Sequence, residues 1–426
     1  MAALTVERTE YRASLRALDG ALAALSALGL PLTRLDADSL CRAALRQAGA
    51  PGPVPSPPAA HPAFGSPGFR APMDQLCANV EGRPLTALGR TLTRSTLVKA
   101  LSNRIYIDRY IRAHPEVLDV PIERPVFILG FPRTGTTLLQ NLLSLEPGWR
   151  ALQFWELQNP VPVHPDRAVD RRRRKRVADF SLGLAYFVAP EMRAIHEISS
   201  TSAEECWPLF ANCFAVMNYD LQSQFVDYGR WLLQYDMTEA YAYYKRSLQI
   251  LAHHSPTRRF VLKCPEHLWF IDALLAVFPD AEIVWTHRDP VASVASYCSL
   301  ISLAQRMLYG RLDAVALGAH IRDRFLEGVT RAMDARDRAP GAAFTDVDFA
   351  ALVRDTPGQL RMLQDRLGVE RDAATDARVA AWLEAERADK RGAHHYDPEV
   401  YQLDWADIHQ RYAAYIDRFQ IPVKRR

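Results

Sequence analysis

The sequence predicts an α/β fold: a three-layer α/β/α arrangement on a parallel sheet, with a helical N-terminal extension and a helical insertion. Three observations predict it. Past residue 120, short β-branched and aromatic runs alternate with helical patterns. A glycine-rich turn joins the first such run to its helix. The first 120 residues show helical patterning alone.

Residues 1 to about 50 are rich in Ala and Leu with interspersed Arg, a helical composition. The stretch "GAPGPVPSPPAAHPAFGSPG" follows, and proline and glycine there mark a linker near 50–72 in which no packed element is expected. Helical patterning resumes over 73–120, including "STLVKALSNRIYIDRYIRAHPEV". "PVFILG" then reads as a buried strand and "TTLLQNLLSL" as its helix. "RFVLK", "HLWFIDALLAVF", "EIVWTH" and "DPVASVASYCSLIS" repeat the alternation, and "AFTDVDF" with "PGQLRMLQDRLG" gives a third unit. The α/β domain therefore spans 121–426, and a mostly helical insertion occupies about 150–255.

Bulk properties bound the function. The 426 residues are 49% hydrophobic and 24% charged, the composition of an ordinary globular protein. A net charge of +3 argues against nucleic acid as a partner, so any attraction for anions is local. The six cysteines form no C-x-x-C pair, which points away from zinc or a disulfide framework and toward a reducing cytoplasm. "MAALTVERTEY" carries two glutamates where a signal peptide would be basic, and no segment reads as membrane-spanning. Peripheral membrane contact stays open.

The segment "VFILGFPRTGTTLLQNLL" carries the chemistry. Gly130 and Gly135 flank four residues and are followed by Thr136 and Thr137, a P-loop-like pattern in which threonine stands where an ATP-binding loop has lysine. A glycine-rich turn between strand and helix aims backbone N–H groups at one point, and the helix dipole adds positive charge there. Arg133 adds a permanent forked cation. The plain alternative is an ordinary strand–turn–helix connection.

"GFPRTGTT" resembles the loop with which the sulfotransferase superfamily holds the 5′-phosphosulfate of 3′-phosphoadenosine 5′-phosphosulfate (PAPS). The resemblance covers about 120–420 in pieces. It is closest to the bacterial branch with "PRTGTT" in the loop and "LSNR" before the core. It implies that Arg133, Thr134, Gly135, Thr136 and Thr137 hold the 5′ end of the donor. In the family an arginine ending a strand, and a serine eight residues later, hold the 3′-phosphate; here these are Arg288 and Ser296 in "IVWTHRDPVASVASY". A strand-end salt bridge and a small helix-packing residue are the plain readings of that pair. Lys390, Arg391 and Gly392 stand where relatives carry Arg-Lys-Gly over the 3′-phosphate, with the first two exchanged.

The resemblance also implies a cation near the transferring group, for which Arg133 and Lys263 are candidates, and a base for the acceptor's proton. Relatives divide between glutamate and histidine. Glu156, beside Phe154 and Trp155 and twenty-three residues beyond Arg133, is one candidate; His267 is the other. Glu204 and Glu205 form a carboxylate pair that could orient the acceptor. No metal is expected. Eleven aromatic residues between Trp207 and Tyr244 read mainly as helical core, and favour a small hydrophobic or lipid-like hydroxyl acceptor over a polysaccharide. "RRRRKR", residues 171–176, reads as a solvated face, or as a surface for anionic lipid or the anionic donor. The competing functions are a nucleotide kinase using the same loop with ATP and magnesium, and a catalytically inactive nucleotide-binding module.

Overall fold

The β-branched and aromatic runs become five parallel strands in a computed structural model, which describes residues 11–195, 197–370, 372–388 and 398–423. They are β1 (Val126–Gly130), β2 (Trp149–Arg150), β3 (Arg259–Lys263), β4 (Glu282–His287) and β5 (Ala343–Asp348), in the order β2-β3-β1-β4-β5. Four of the five coincide with runs read from the sequence. The short edge strand β2 escapes because two residues carry no periodicity.

Alternation along the strands builds the layers. Val126 and Ile128 of β1 join Val261, Val284 and Val347 in one buried cluster, whereas Phe127 and Leu129 join Leu262, Ile283 and Trp285 in another. Successive side chains of a strand point to opposite faces, so both faces of the sheet are covered. β1 lies between β3 and β4, which brings the C-terminal ends of three strands together. In open parallel sheets ligands bind at such ends.

The second cluster also contains Leu40, Phe64, Met73 and Leu101, from the N-terminal helices and the segment between them. Helices α1 (Ala13–Ala27), α2 (Ala37–Gln47), α3 (Arg70–Glu81) and α4 (Ala87–Ala113) thus share one continuous core with the sheet. The proline-rich stretch corrects the expectation of an unpacked linker. It forms single 3₁₀ turns at Pro58–Ala60, Pro62–Phe64 and Pro67–Phe69, each opening on proline, which loses nothing at a first helical position. Phe64 and Phe69 are buried within it.

Arg104, the arginine of "LSNR", holds these parts together. Its buried guanidinium donates to the carbonyls of Phe64, Ser66 and Asn212, and lies 4.3 and 4.4 Å from the ring centres of Phe69 and Tyr243. Asn103 beside it donates to the Asn212 side chain and the Gln158 carbonyl. One turn of α4 therefore ties the proline-rich segment to the insertion.

The insertion is helical as expected, with α6 (Phe154–Gln158), α7 (Arg167–Val188) and Thr238–His254 among its helices. Phe210, Phe214, Tyr219, Phe225, Tyr228, Tyr241 and Tyr244 are buried, so the packing reading holds for most of its aromatics. Among the described residues, the helix Pro290–Tyr309 is long and apolar enough to cross a membrane, but 67% of its apolar window is buried inside the fold. It is a core helix.

Arg104→Ala is expected to lower the unfolding free energy by about 3–5 kcal/mol, because three carbonyls and two rings lose their partner at once. Arg104→Lys should restore only part of this, since an ammonium cannot reproduce the planar fork. Urea unfolding of the three proteins checks the order.

Candidate active site

The β1 loop owes its shape to residues that tolerate a left-handed backbone. Gly130 has φ +141°, Arg133 +70° and Gly135 +85°. A Cβ on Gly130 would lie 2.3 Å from the Thr286 hydroxyl and 2.6 Å from its carbonyl, so glycine is required by contact as well as by torsion. Left-handed residues within a turn direct several N–H groups to one side, forming an anion-binding concavity. α5 (Thr136–Leu143) starts there with Gly135 as its N-cap and no side-chain cap among the described residues. Its first N–H groups have no partner within the helix and face the loop.

The side chains divide the work. The Thr134 hydroxyl is buried, meets the Thr286 hydroxyl at 2.6 Å and lies 2.6 Å from the Phe131 carbonyl. It holds the loop to β4, and this hydroxyl is not exposed to a ligand. Thr136 is buried at the helix start, whereas Arg133 and Thr137 are exposed.

Lys263, at the end of β3, reaches across to this loop. Strand pairing sets it opposite Ile128 of β1, and its ammonium lies 3.2 Å from the Thr137 hydroxyl. On its other side, 3.5 Å away, is Glu205 Oε1. The backbone fixes that carboxylate's position: the Glu204 N–H donates to the Leu152 carbonyl and the Cys206 N–H to the Lys263 carbonyl. Burial pushes the neighbouring Tyr297 phenol well above its usual range, and the Glu205 charge adds to the effect. Glu205 thus joins loop, lysine and a buried polar interior in one place. In the sequence it stands out only as one of the Glu204–Glu205 pair; its adjacency to Lys263 is long-range and leaves no local signal.

The end of β4 supplies the second cation. The Arg288 guanidinium donates to the Arg133 carbonyl at 2.5 Å and stacks 4.3 Å from the Phe349 ring centre. The strand end is anchored by His287, which contacts the Tyr415 hydroxyl at 3.1 Å and Asp346 at 2.9 Å. Burial pushes the Asp346 carboxyl up, but hydrogen bonds and charge from His287 and Arg336 outweigh it and hold the group at about 2. Ser296 lies on Pro290–Tyr309, buried in a row with Ser293, Ser299 and Ser302. Ser296 is thus buried, while Arg288 is the more accessible member of the pair. Lys390, Arg391 and Gly392 lie outside the described residues.

Neither expected base faces this site. Glu156 is at the start of α6, where one carboxylate oxygen accepts the Gln153 N–H at 3.0 Å and the other accepts from Arg150 at 2.8 Å. That is the returning arm of a capping box closed by an ion pair. The cavity it borders is lined by Arg171, Arg174 and His254, not by loop residues 130–137. His267 is fully buried, bonded through Nδ1 to the Tyr241 hydroxyl at 2.8 Å and packed against Phe127 and Phe210. Burial lowers its pKa to about 3, so it stays neutral within the core. Its neighbour Glu266 is shifted the opposite way: burial holds that carboxyl well above its usual range, while the Met217 N–H donates to it.

Comparison with known proteins fixes the chemistry. The sulfotransferase family model matches residues 125–373, from β1 past β5. The chain belongs to the sulfotransferase family. The crystal structure of sulfotransferase STF9 from Mycobacterium avium is similar at a TM-score of 0.80 and 29% identity, covering 92% of this chain and 98% of that one. Sulfotransferase STF1 from Mycobacterium tuberculosis H37Rv gives 0.77 and 27%, covering 90% and 100%. Among curated proteins, the omega-hydroxy-beta-dihydromenaquinone-9 sulfotransferase Stf3 of Mycobacterium bovis is 23% identical over 309 residues, 69% of this chain and 74% of that protein. The enzyme is therefore a sulfotransferase, which removes the kinase alternative.

The buried state of His267 has a sign that can be tested. Its folded pKa lies below its unfolded value, so the stability tied to the neutral ring is present at pH 7 and is lost as pH falls below about 6.5. Wild type should therefore lose about 2 kcal/mol relative to His267→Phe between pH 7 and pH 5. Urea unfolding of both proteins at the two pH values gives that difference. It cancels Glu266 and every other group common to the pair.

Proposed function

We propose that this sulfotransferase moves the sulfuryl group of PAPS to the hydroxyl of a small hydrophobic or lipid-like acceptor, with Glu205 as the base. One observation carries the reading: Lys263 bridges Thr137 of the loop and the Glu205 carboxylate, at 3.2 and 3.5 Å. A lysine between the phosphate cradle and a carboxylate stands where both charges of the reaction develop.

The loop N–H groups and Arg133 hold the 5′-phosphosulfate, and Arg288 takes the 3′-phosphate. The acceptor oxygen attacks sulfur in line, forming a new S–O bond while the bond from sulfur to the 5′-phosphate oxygen breaks. The electron pair leaves with adenosine 3′,5′-bisphosphate, where Lys263 stabilises the new charge. The acceptor's proton passes to Glu205. This assigns the base to Glu205 because Glu156 and His267 already have structural partners. The acceptor class is supported by the lipid quinone in the name of Stf3, and by buried Tyr297 beside Glu205.

Glu205→Gln is expected to lower kcat about 10²–10³-fold while leaving donor affinity nearly unchanged, as loss of a base does. Near-normal turnover in that variant would remove Glu205 from the role. Calorimetry tests the donor: wild type should prefer adenosine 3′,5′-bisphosphate over AMP about 10–100-fold, and Arg288→Ala should abolish most of that preference, the range expected for a charged hydrogen-bonded pair. Equal binding of the two nucleotides by wild type would refute PAPS as donor.

A further inference from the structure

Helix α7 has two exposed surfaces that the transfer chemistry does not use. Its inner side packs through Ala178, Leu182 and Tyr186, spaced by four, and all three are buried. On the outside, Val177, Phe180, Leu184 and Phe187 are 53, 75, 56 and 84% exposed. Their spacing of three, four and three sets them on one stripe about 80° wide. Two phenylalanines in water at such exposure are unusual for a surface helix. Each forfeits the stabilisation that burial would give.

The other half of α7 is cationic. Arg167, Arg171, Arg172, Arg173 and Arg176 are exposed and Lys175 is half-buried, and all precede the apolar stripe. Arg174 is occupied internally, paired with Asp170 at 2.8 Å. The helix holds seven basic and two acidic residues, a surplus of five that exceeds the +3 of the whole chain. Positive charge is thus concentrated on the element that carries the exposed rings.

We propose that α7 docks this enzyme on an anionic lipid bilayer, Phe180, Leu184 and Phe187 entering the headgroup–acyl boundary and the arginines pairing with lipid phosphates. Rings at one end and cations at the other fit a tilted interfacial helix; each half satisfies a different layer of the membrane. The apolar surface also continues inward. Val177 and exposed Val163 line a cavity of about 410 Å³ with Tyr106, Tyr110 and Val161, space that suits a lipid chain. From the end of α7, Ala189 and Met192 pack on Leu303 and Met307 of Pro290–Tyr309, which ties the helix to the core. The docking itself rests on α7 alone, not on the sulfuryl-transfer assignment.

Vesicle co-sedimentation tests it, using phosphatidylcholine alone and phosphatidylcholine with about one-third phosphatidylglycerol. Wild type should sediment with the anionic vesicles, weakly with the neutral ones, and less as salt rises to about 0.5 M. The Phe180→Asp/Phe187→Asp variant should bind anionic vesicles about tenfold or more weakly even at low salt. Arg172→Glu/Arg173→Glu/Arg176→Glu should lose the preference for anionic lipid. Unchanged melting temperatures show that the variants are folded, and adenosine bisphosphate titration follows the donor site separately. Failure of wild type to bind the anionic vesicles, or equal binding by the variants, overturns the proposal. A wild-type dimer in sedimentation velocity that Phe180→Asp/Phe187→Asp converts to monomer, without vesicle binding, assigns the stripe to a second copy and also overturns it.

Discussion

The site depends on how closely β1 and β4 approach at Gly130. Parallel pairing sets Gly130 opposite Thr286, and the absent Cβ lets the Thr286 hydroxyl and carbonyl occupy that space. The Thr134 and Thr286 hydroxyls then meet, and between them reach the Phe131 and Leu129 carbonyls. These bonds are buried, so leaving one unmade would cost the full desolvation of its group. The loop is consequently held to β4 before any ligand arrives. Two residues past Thr286, Arg288 donates to the Arg133 carbonyl, so the strand that shapes the loop also delivers the second cation. The loop and Arg288 are joined because a single strand pair builds both.

Charge around that unit is arranged by burial. Lys263 is almost wholly enclosed, and such an ammonium needs close partners. It lies 3.2 Å from the Thr137 hydroxyl and 3.5 Å from the Glu205 carboxylate. A phosphosulfate in the loop would add an anion next to Lys263. In the neighbouring interior burial pushes the Glu266 carboxyl well above its usual range and keeps His267 uncharged. Within the pair Lys263 is enclosed, with 4% of its side chain exposed, whereas Glu205 at 27% keeps contact with solvent.

Much of this architecture was legible because it is local. Strand runs, the glycine spacing and the eight residues from Arg288 to Ser296 are properties of short segments, and four strands and the loop follow from them. The proposed base, Glu205, was not legible, because the choice among carboxylates depends on which backbone they lie beside. Glu156 had the expected distance from the loop and aromatic neighbours, yet Gln153 and Arg150 use both its oxygens. His267 was close in sequence to Lys263, but the 3₁₀ turn Pro265–Trp269 rotates it into the core beside Tyr241. Glu205 is fifty-eight residues from its lysine, and only the folded insertion brings them together. Similarly, the proline-rich stretch looked unpacked since its partners, Arg104 and Tyr235, lie far away in the chain.

The insertion therefore has two jobs, and they explain its shape. Its aromatic half is buried because it must form a wall on the sheet, with Glu205 at the edge of that wall. The outer face of its α7 half cannot be justified by burial. A helix chosen only to cover a core would carry its large apolar residues inward, as Leu182 and Tyr186 do, and place polar residues outside. Phe180 and Phe187 break that rule on the same helix that concentrates the positive charge. Water gives no compensation for exposed rings, and protein supplies none on that face among the described residues. A bilayer with anionic headgroups supplies both an apolar layer and phosphates, at the spacing a single tilted helix can span.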